Sequence, residues 1–166
     1  MTAKSSTASA TAPQPGSERL ITVASGKGGV GKTWLAITLA HALARAGRRT
    51  LLFDGDIGLA NIDIQLGLMV ERDLGSVAAG RISLAQAISN FAGGGFDVIA
   101  GKSGSGALGM LSTERLAELR HDLVSLANDY DRVVLDLGAG IDGAVRTMAG
   151  GDGTILVVIT DEPTAI

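Results

Sequence analysis

The chain has 166 residues, enough for one domain with a sizeable core, and its formal net charge of −3 leaves no global basic field to hold nucleic acid or an acidic membrane surface. It contains no cysteine, which excludes disulfides, thiolate metal sites and cysteine nucleophiles together and suits a cytosolic protein. Hydrophobic residues make up 46% of it, yet they are scattered among polar ones, with no apolar run of the roughly 18 residues that a membrane helix needs.

Residues 1 to 18 are rich in Ser, Thr, Ala and Pro and have almost nothing to bury, so they read as a disordered tail ahead of a domain spanning 19 to 166. The stretch up to Gly16 has one lysine and no apolar centre, unlike a signal peptide. Leu20 to Ala24 is an apolar strand candidate, and Ser25-Gly26-Lys27-Gly28-Gly29-Val30-Gly31-Lys32-Thr33 follows it. This stretch fits Gly, any four residues, Gly-Lys-Ser/Thr, between a strand and a helix that begins at Lys32, which is the context of a phosphate-binding loop. Its glycines let several N–H groups converge on phosphate oxygens with no Cβ in the way, and the helix start adds positive potential. Lys32 is suited to the terminal phosphates, and the Thr33 hydroxyl to a magnesium ion that bridges two of them.

The same letters satisfy Gly26-x-Gly28-x-x-Gly31, the dinucleotide fingerprint, with Asp54 where a ribose-binding acid would sit. Lys32 and Thr33 directly after the third glycine argue for triphosphate chemistry instead. Leu35, Ala36, Leu39, Ala40 and Leu43 recur at helical spacing, with Gly47 as the C-terminal signal. His41 and Trp34 read as packing residues of this helix.

Arg49 to Asp54 is a second strand, and it ends in Asp54-Gly55-Asp56, two carboxylates at the strand edge where parallel sheets keep their sites. Residues 57 to 68 mix glycines with apolar residues, as a moving loop followed by a short buried helix does. Ser83 and Gln86 form a capping box. Phe96 to Ala100 is a third strand, leading to a second Gly-rich stretch from Gly101 to Gly106 that reads as a flexible link. Ser112 caps a helix with Leu116, Leu119, Leu123 and Leu126 on one face. A fourth strand, Arg132 to Asp136, ends in a carboxylate suited to holding a water ligand of magnesium, though a strand-end Asp taken alone is usually ordinary. The Leu137 to Gly140 segment reads as a turn in which an N–H near Gly138 can sense a γ-phosphate. Thr154 to Thr160 is a fifth strand.

Strand–helix alternation predicts an α/β fold, three layers deep, with a mainly parallel sheet and helices on both faces, and the phosphate-binding loop at 26 to 33 makes it of the P-loop NTPase type. A fully apolar last strand with no neighbour after it makes the sheet look incomplete at the C-terminus, the N-terminal part of a longer domain.

With these motifs in hand, residues 19 to 166 resemble the MinD/ParA group of deviant-Walker P-loop ATPases, and most closely its flagellar-number-regulating branch. Lys27 occupies the position of that group's additional lysine. Asp54 to Asp63 looks like its first switch and Asp136 to Gly140 like its second. Glu162-Pro163-Thr164 is similar to a segment typical of the flagellar branch. The resemblance implies an ATP-dependent homodimer that hydrolyses ATP. In it Lys27 reaches the partner's nucleotide and Asp56 orients the attacking water, while Lys32 binds the phosphates. Thr33 ligates Mg2+, and Asp54 and Asp136 support that ion through waters.

It implies further a cytoplasmic protein, with peripheral attachment at the inner membrane in a full-length form, and a flagellar GTPase or a transcription regulator as partner. No short glutamine-containing motif of the kind that stimulates such a GTPase stands out in residues 1 to 18, and Trp34 replaces a residue that is usually small and polar. The alternatives are a nucleotide-binding module without hydrolysis, or a relative with the same chemistry acting on chromosome partitioning or the division site.

Overall fold

A computed structural model of the chain describes residues 15–56, 60–102, 111–140 and 142–161. The tail up to residue 14, most of the second Gly-rich stretch and the Glu162-Pro163-Thr164 segment lie outside the described residues. The described chain packs from Gly16 onward, ahead of the expected boundary at 19: Gly16 and Ser17 are buried, and Ser17–Arg19 forms a 3-10 turn. Gly16 has φ 99°, and a Cβ there would stand 2.7 Å from the Val124 carbonyl oxygen.

In chain order come β1 (Leu20–Ser25), α1 (Lys32–Arg45), β2 (Thr50–Gly55), α2 (Ile62–Leu66), α3 (Leu74–Ala78), β3 (Ser89–Phe91), β4 (Phe96–Ile99), α4 (Thr113–Leu126), β5 (Arg132–Ala139), α5 (Gly143–Ala149) and β6 (Thr154–Val157). The strands make one six-stranded sheet ordered β3-β4-β2-β5-β1-β6, parallel except for β3, which runs antiparallel to β4 at the edge. β5 therefore lies between β1 and β2. In a dinucleotide fold β1 and β2 are neighbours, which is what brings the acid ending β2 to the ribose, so this order removes the dinucleotide reading.

Period-two alternation sorts the central strands onto two faces. Leu51, Phe53, Val133, Leu135 and Leu137 face one core, with Leu116, Leu119 and Leu123 of α4 and Val145 and Met148 of α5. Leu52 and Val134 face the other, with Val23, Ala36 and Ala40 of α1, and Ile62. The result is the expected three-layer α/β/α arrangement. On α1 the fully buried apolar positions are the alanines, and Leu35, Leu39 and Leu43 are only partly buried, because small side chains let the helix lie close to the sheet. Its end is a Schellman turn: the N–H groups of Gly47 and Arg48 donate to the carbonyls of Ala44 and Leu43, with Gly47 at φ 76°. His41 packs edge-on against Phe96 and Phe91, as a structural histidine does.

Three short elements, α3, β3 and α5, appear where no element is expected from the sequence. The Ser83–Gln86 capping bonds form, but over a single 3-10 turn at Ala85–Ala87. In α2 Ile62 is buried while Ile64 is 67% exposed, so that helix is buried at one position rather than throughout. β5 continues as strand through Leu137, Gly138 and Ala139, and the turn begins only at Gly140, whose N–H donates to the Ser25 carbonyl. The cause is a register shift between Val23 and Ser25, which lets Ser25 pair with Ala139. All four residues of β6 are exposed, and its far side pairs with no described strand.

Between Asp54, near the end of β2, and Asp56, just past it, the chain tolerates no side chain. A Cβ on Gly55 would lie 2.6 Å from Leu137 Cδ2 and 3.2 Å from the Asp136 carbonyl oxygen. Gly55→Ala is expected to destabilise the fold by about 1–3 kcal/mol through overpacking. Urea unfolding monitored by circular dichroism checks this, and an unchanged midpoint would show that β2 and β5 have room to separate.

Candidate functional site

The register that pairs β2 with β5 sets Asp54 opposite Asp136. Both belong to the face that α1 covers, by the same alternation that puts Leu52 and Val134 there. They end adjacent strands at the carboxyl edge of the sheet, next to the loop that leads from β1 into α1. Each is 1% exposed.

Above them opens a cleft of about 610 Å³ lined by Gly28, Gly29, Gly31, Lys32, Thr33, Asp56 and Gly138 among the residues expected to act. Gly26, Lys27 and Val30 belong to the loop without lining the cleft, and Asp54 and Asp136 lie beneath it. The Ser25 hydroxyl donates to the Lys27 carbonyl at 2.6 Å and so fixes the start of the loop. Gly29 and Gly31 have φ of 77° and 93°, and a Cβ built on Gly28, Gly29 or Gly31 would meet nothing within 4 Å. The loop is thus a backbone-lined cradle facing open space, and α1, whose first residue Lys32 is 7% exposed, starts at its floor.

The sequence did not point to the rest of the wall. Trp34, expected to pack inside, is 68% exposed at the rim, because it stands on the outward side of the first turn of α1. Asn61 and Gln65 of the α2 region line the cleft, their side chains joined by a bond from Gln65 Nε2 to Asn61 Oδ1 of 3.2 Å. Opposite stands Asp142, which caps α5 by accepting from the Val145 N–H at 2.8 Å. An Asp followed by Val145 and Met148 at helical spacing was the available signal for this last element.

The two buried carboxylates differ in what they touch. Burial pushes the Asp54 carboxyl up to about 7; the Ile62 and Asp56 N–H groups pull it down while the Asp136 and Asp56 charges push it up. Its Oδ2 accepts from the N–H groups of Asn61 and Ile62, both at 3.1 Å, and its Oδ1 from that of Asp56 at 3.4 Å. Burial likewise pushes Asp136 up to about 6, against the Thr33 hydroxyl and the Lys32 ammonium, which favour its charged form. Neither Asp136 oxygen receives a well-formed hydrogen bond. A buried carboxylate with both oxygens open beside a threonine hydroxyl fits a site for a hydrated cation. Of the two carboxylates expected to support one metal ion, Asp136 has both oxygens without a well-formed hydrogen bond, whereas those of Asp54 accept from backbone N–H groups. Among the described residues no three His, Cys, Asp or Glu side chains cluster as a metal cage. No helix among the described residues is long and apolar enough to cross a membrane.

Residues 21–155 match the family model of the CobQ/CobB/MinD/ParA nucleotide binding domain. The antiactivator FleN of Pseudomonas aeruginosa is 38% identical over 148 residues, which cover 89% of this chain and 52% of that protein. The flagellum site-determining protein YlxH of Helicobacter pylori is 31% identical over 91% of this chain and 51% of its own length. Among solved structures, the septum site-determining protein MinD of Pyrococcus horikoshii, complexed with Mg-ADP, superposes with a TM-score of 0.77 at 30% identity, covering 89% of this chain and 60% of that one. The chain spans about half the length of these curated relatives. It belongs to the CobQ/CobB/MinD/ParA nucleotide-binding family.

Proposed function

We propose that this chain is the phosphate-binding part of an ATP-hydrolysing dimerisation switch that regulates the number or placement of flagella. The observation that carries the reading is the combination of an open glycine cradle with a buried, unsatisfied Asp136 carboxylate beside Lys32 and Thr33. The flagellar assignment rests on the similarity to FleN and YlxH. The Mg-ADP held by the MinD of Pyrococcus horikoshii supports the choice of ligand.

In this reading the N–H groups of Gly26 to Thr33 and the Lys32 ammonium hold the phosphates, and Gly138 meets the γ-phosphate from the end of β5. Thr33 would hold magnesium directly and Asp136 would hold it through water; when bound, that ion supplies positive charge to the transferring phosphoryl group. Asp56 on the cleft wall orients a water whose oxygen adds to the γ-phosphorus as the bond to the β–γ bridging oxygen breaks, leaving ADP and phosphate. Lys27 reaches across a homodimer to the nucleotide of the second copy, so that hydrolysis depends on association. The protein acts in the cytoplasm with a GTPase or transcription regulator of the flagellar system as its partner.

Isothermal titration with Mg-ATP tests the reading. The unmodified chain binds saturably, NAD gives no signal, and Lys32→Ala weakens ATP binding at least about a hundredfold, as loss of several charge-assisted contacts requires. Equal affinity in the two proteins contradicts it.

The buried carboxylates give a pH signature. Folded Asp54 and Asp136 keep their protons up to about 7 and about 6, whereas an unfolded aspartate releases its proton near 3.8. Between these values the folded state binds more protons than the unfolded one, so stability falls as pH rises through that window. The unliganded protein with magnesium removed is expected to melt at lower temperature at pH 8 than at pH 5. Asp136→Asn, which cannot ionise, should lessen that fall by on the order of 2 kcal/mol. Scanning calorimetry of both proteins across the range checks it, and identical slopes would remove Asp136 as the source.

A further inference from the structure

We propose that Asp54 is a positioning residue, the group that fixes one wall of the cleft by capping α2 across the chain. Its carboxylate is 1% exposed and accepts from the N–H groups of Asn61 and Ile62 at the start of α2 and from that of Asp56 at the end of β2. One buried side chain thereby ties together both ends of the segment between residues 56 and 61. The local N-cap does not do this: Asn61 makes no side-chain capping bond to its own helix. Its Oδ1 is engaged instead by Gln65 Nε2, on the cleft side.

The consequence is geometric. Ile62, 0% exposed, is anchored in the core beside Leu52 and Val134. With Ile62 held from below and its N–H held by Asp54, the first turn of α2 has one orientation, and that orientation puts Asn61 and Gln65 on the cleft wall together with Asp56. Two neighbours keep the anchor close. Gly101 passes so near that a Cβ on it would stand 2.4 Å from Ala60 Cβ and 3.9 Å from Asp54 Oδ2. The Gly55 backbone permits no side chain between the two aspartates, as described above. A carboxylate accepting from the free N–H groups at a helix start is favoured by those donors, which oppose the effect of burial on its charged form.

The inference rests on the reading of the cleft as a nucleotide site only in saying what the wall serves; the anchoring itself is independent of it. Hydrogen exchange by NMR on the 166-residue chain, with Asp54→Leu and Asp54→Asn, tests it. Leucine has the same branched shape with methyl groups in place of the acceptors, whereas the asparagine oxygen accepts from both α2 donors. In Asp54→Leu the Asn61 and Ile62 amides are expected to exchange at least about tenfold faster, with exchange at Leu52 and Val134 unchanged. The side-chain amide signals of Asn61 and Gln65 should shift in the same variant. Asp54→Asn should restore slow exchange and the original signals.

ADP titrations with and without magnesium complete the test, and their affinity ratio should be the same in all three proteins. If both variants lose the magnesium effect while exchange at Asn61 and Ile62 stays unchanged, Asp54 serves a metal ion and the inference falls. A globally faster exchange in Asp54→Leu that Asp54→Asn fails to restore overturns it as well. If the unmodified chain binds no ADP, the proposed function fails, and exchange at Asn61 and Ile62 still decides the anchoring.

Discussion

Two carboxylates buried at the ends of adjacent parallel strands are the constraint around which this structure is organised. Period-two alternation and the β2–β5 register leave them no other place than the α1 face at the carboxyl edge of the sheet. Removing a carboxylate from water is expensive unless it is protonated, hydrogen-bonded or beside positive charge. Asp54 meets the demand with backbone N–H groups. Asp136 meets it only in part: the Thr33 hydroxyl and the Lys32 ammonium favour its charged form, but neither oxygen accepts a well-formed hydrogen bond. An internal conflict of this kind is expected where a fold gives up stability for a site.

The loop and the sheet solve complementary parts of one problem. The loop supplies donors and positive potential from a backbone whose glycines leave the approach clear. The sheet supplies two carboxyl groups from below, at positions held by residues such as Leu52, Val134 and Leu135, all 0% exposed. The α2 and α5 regions then close the sides with Asn61, Gln65 and Asp142, which are polar but lie on shorter, more exposed elements. That contrast between a rigid floor and lighter walls matches a site whose walls respond to what the floor binds.

Much of this was legible in the sequence, for identifiable reasons. The phosphate loop declares itself by glycine spacing and by Lys32 and Thr33, because the chemistry fixes residue types at fixed separations. Asp136 was legible only jointly with that loop. The α4 stripe and its Ser112 cap stood out because helical spacing over 14 residues is a strong signal. By contrast α3 and α5, of 5 and 7 residues, are too short for periodicity to register, and three-residue β3 is an edge strand set by its pairing with β4. The extension of β5 through Gly138 depends on a register shift in β1, which no local signal reports. The engagement of Asp54 was invisible because its partners are backbone N–H groups seven and eight residues downstream, and any residue other than proline supplies such a group. Trp34 was misplaced because aromatic content suggests burial, whereas its position on α1 is decided by Ala36 and Ala40 facing the sheet.

In the proposed reading the cation of this site is held by Thr33 and Asp136 while Asp54 serves the backbone. A crystal structure grown with manganese and a non-hydrolysable ATP analogue, with the metal located by its anomalous scattering, tests it most directly. A peak is expected at coordination distance from Thr33 Oγ1, with water between it and Asp136, and Asp54 still accepting from Asn61 and Ile62. A metal seated on the Asp54 carboxylate, with those two amides released, would contradict it.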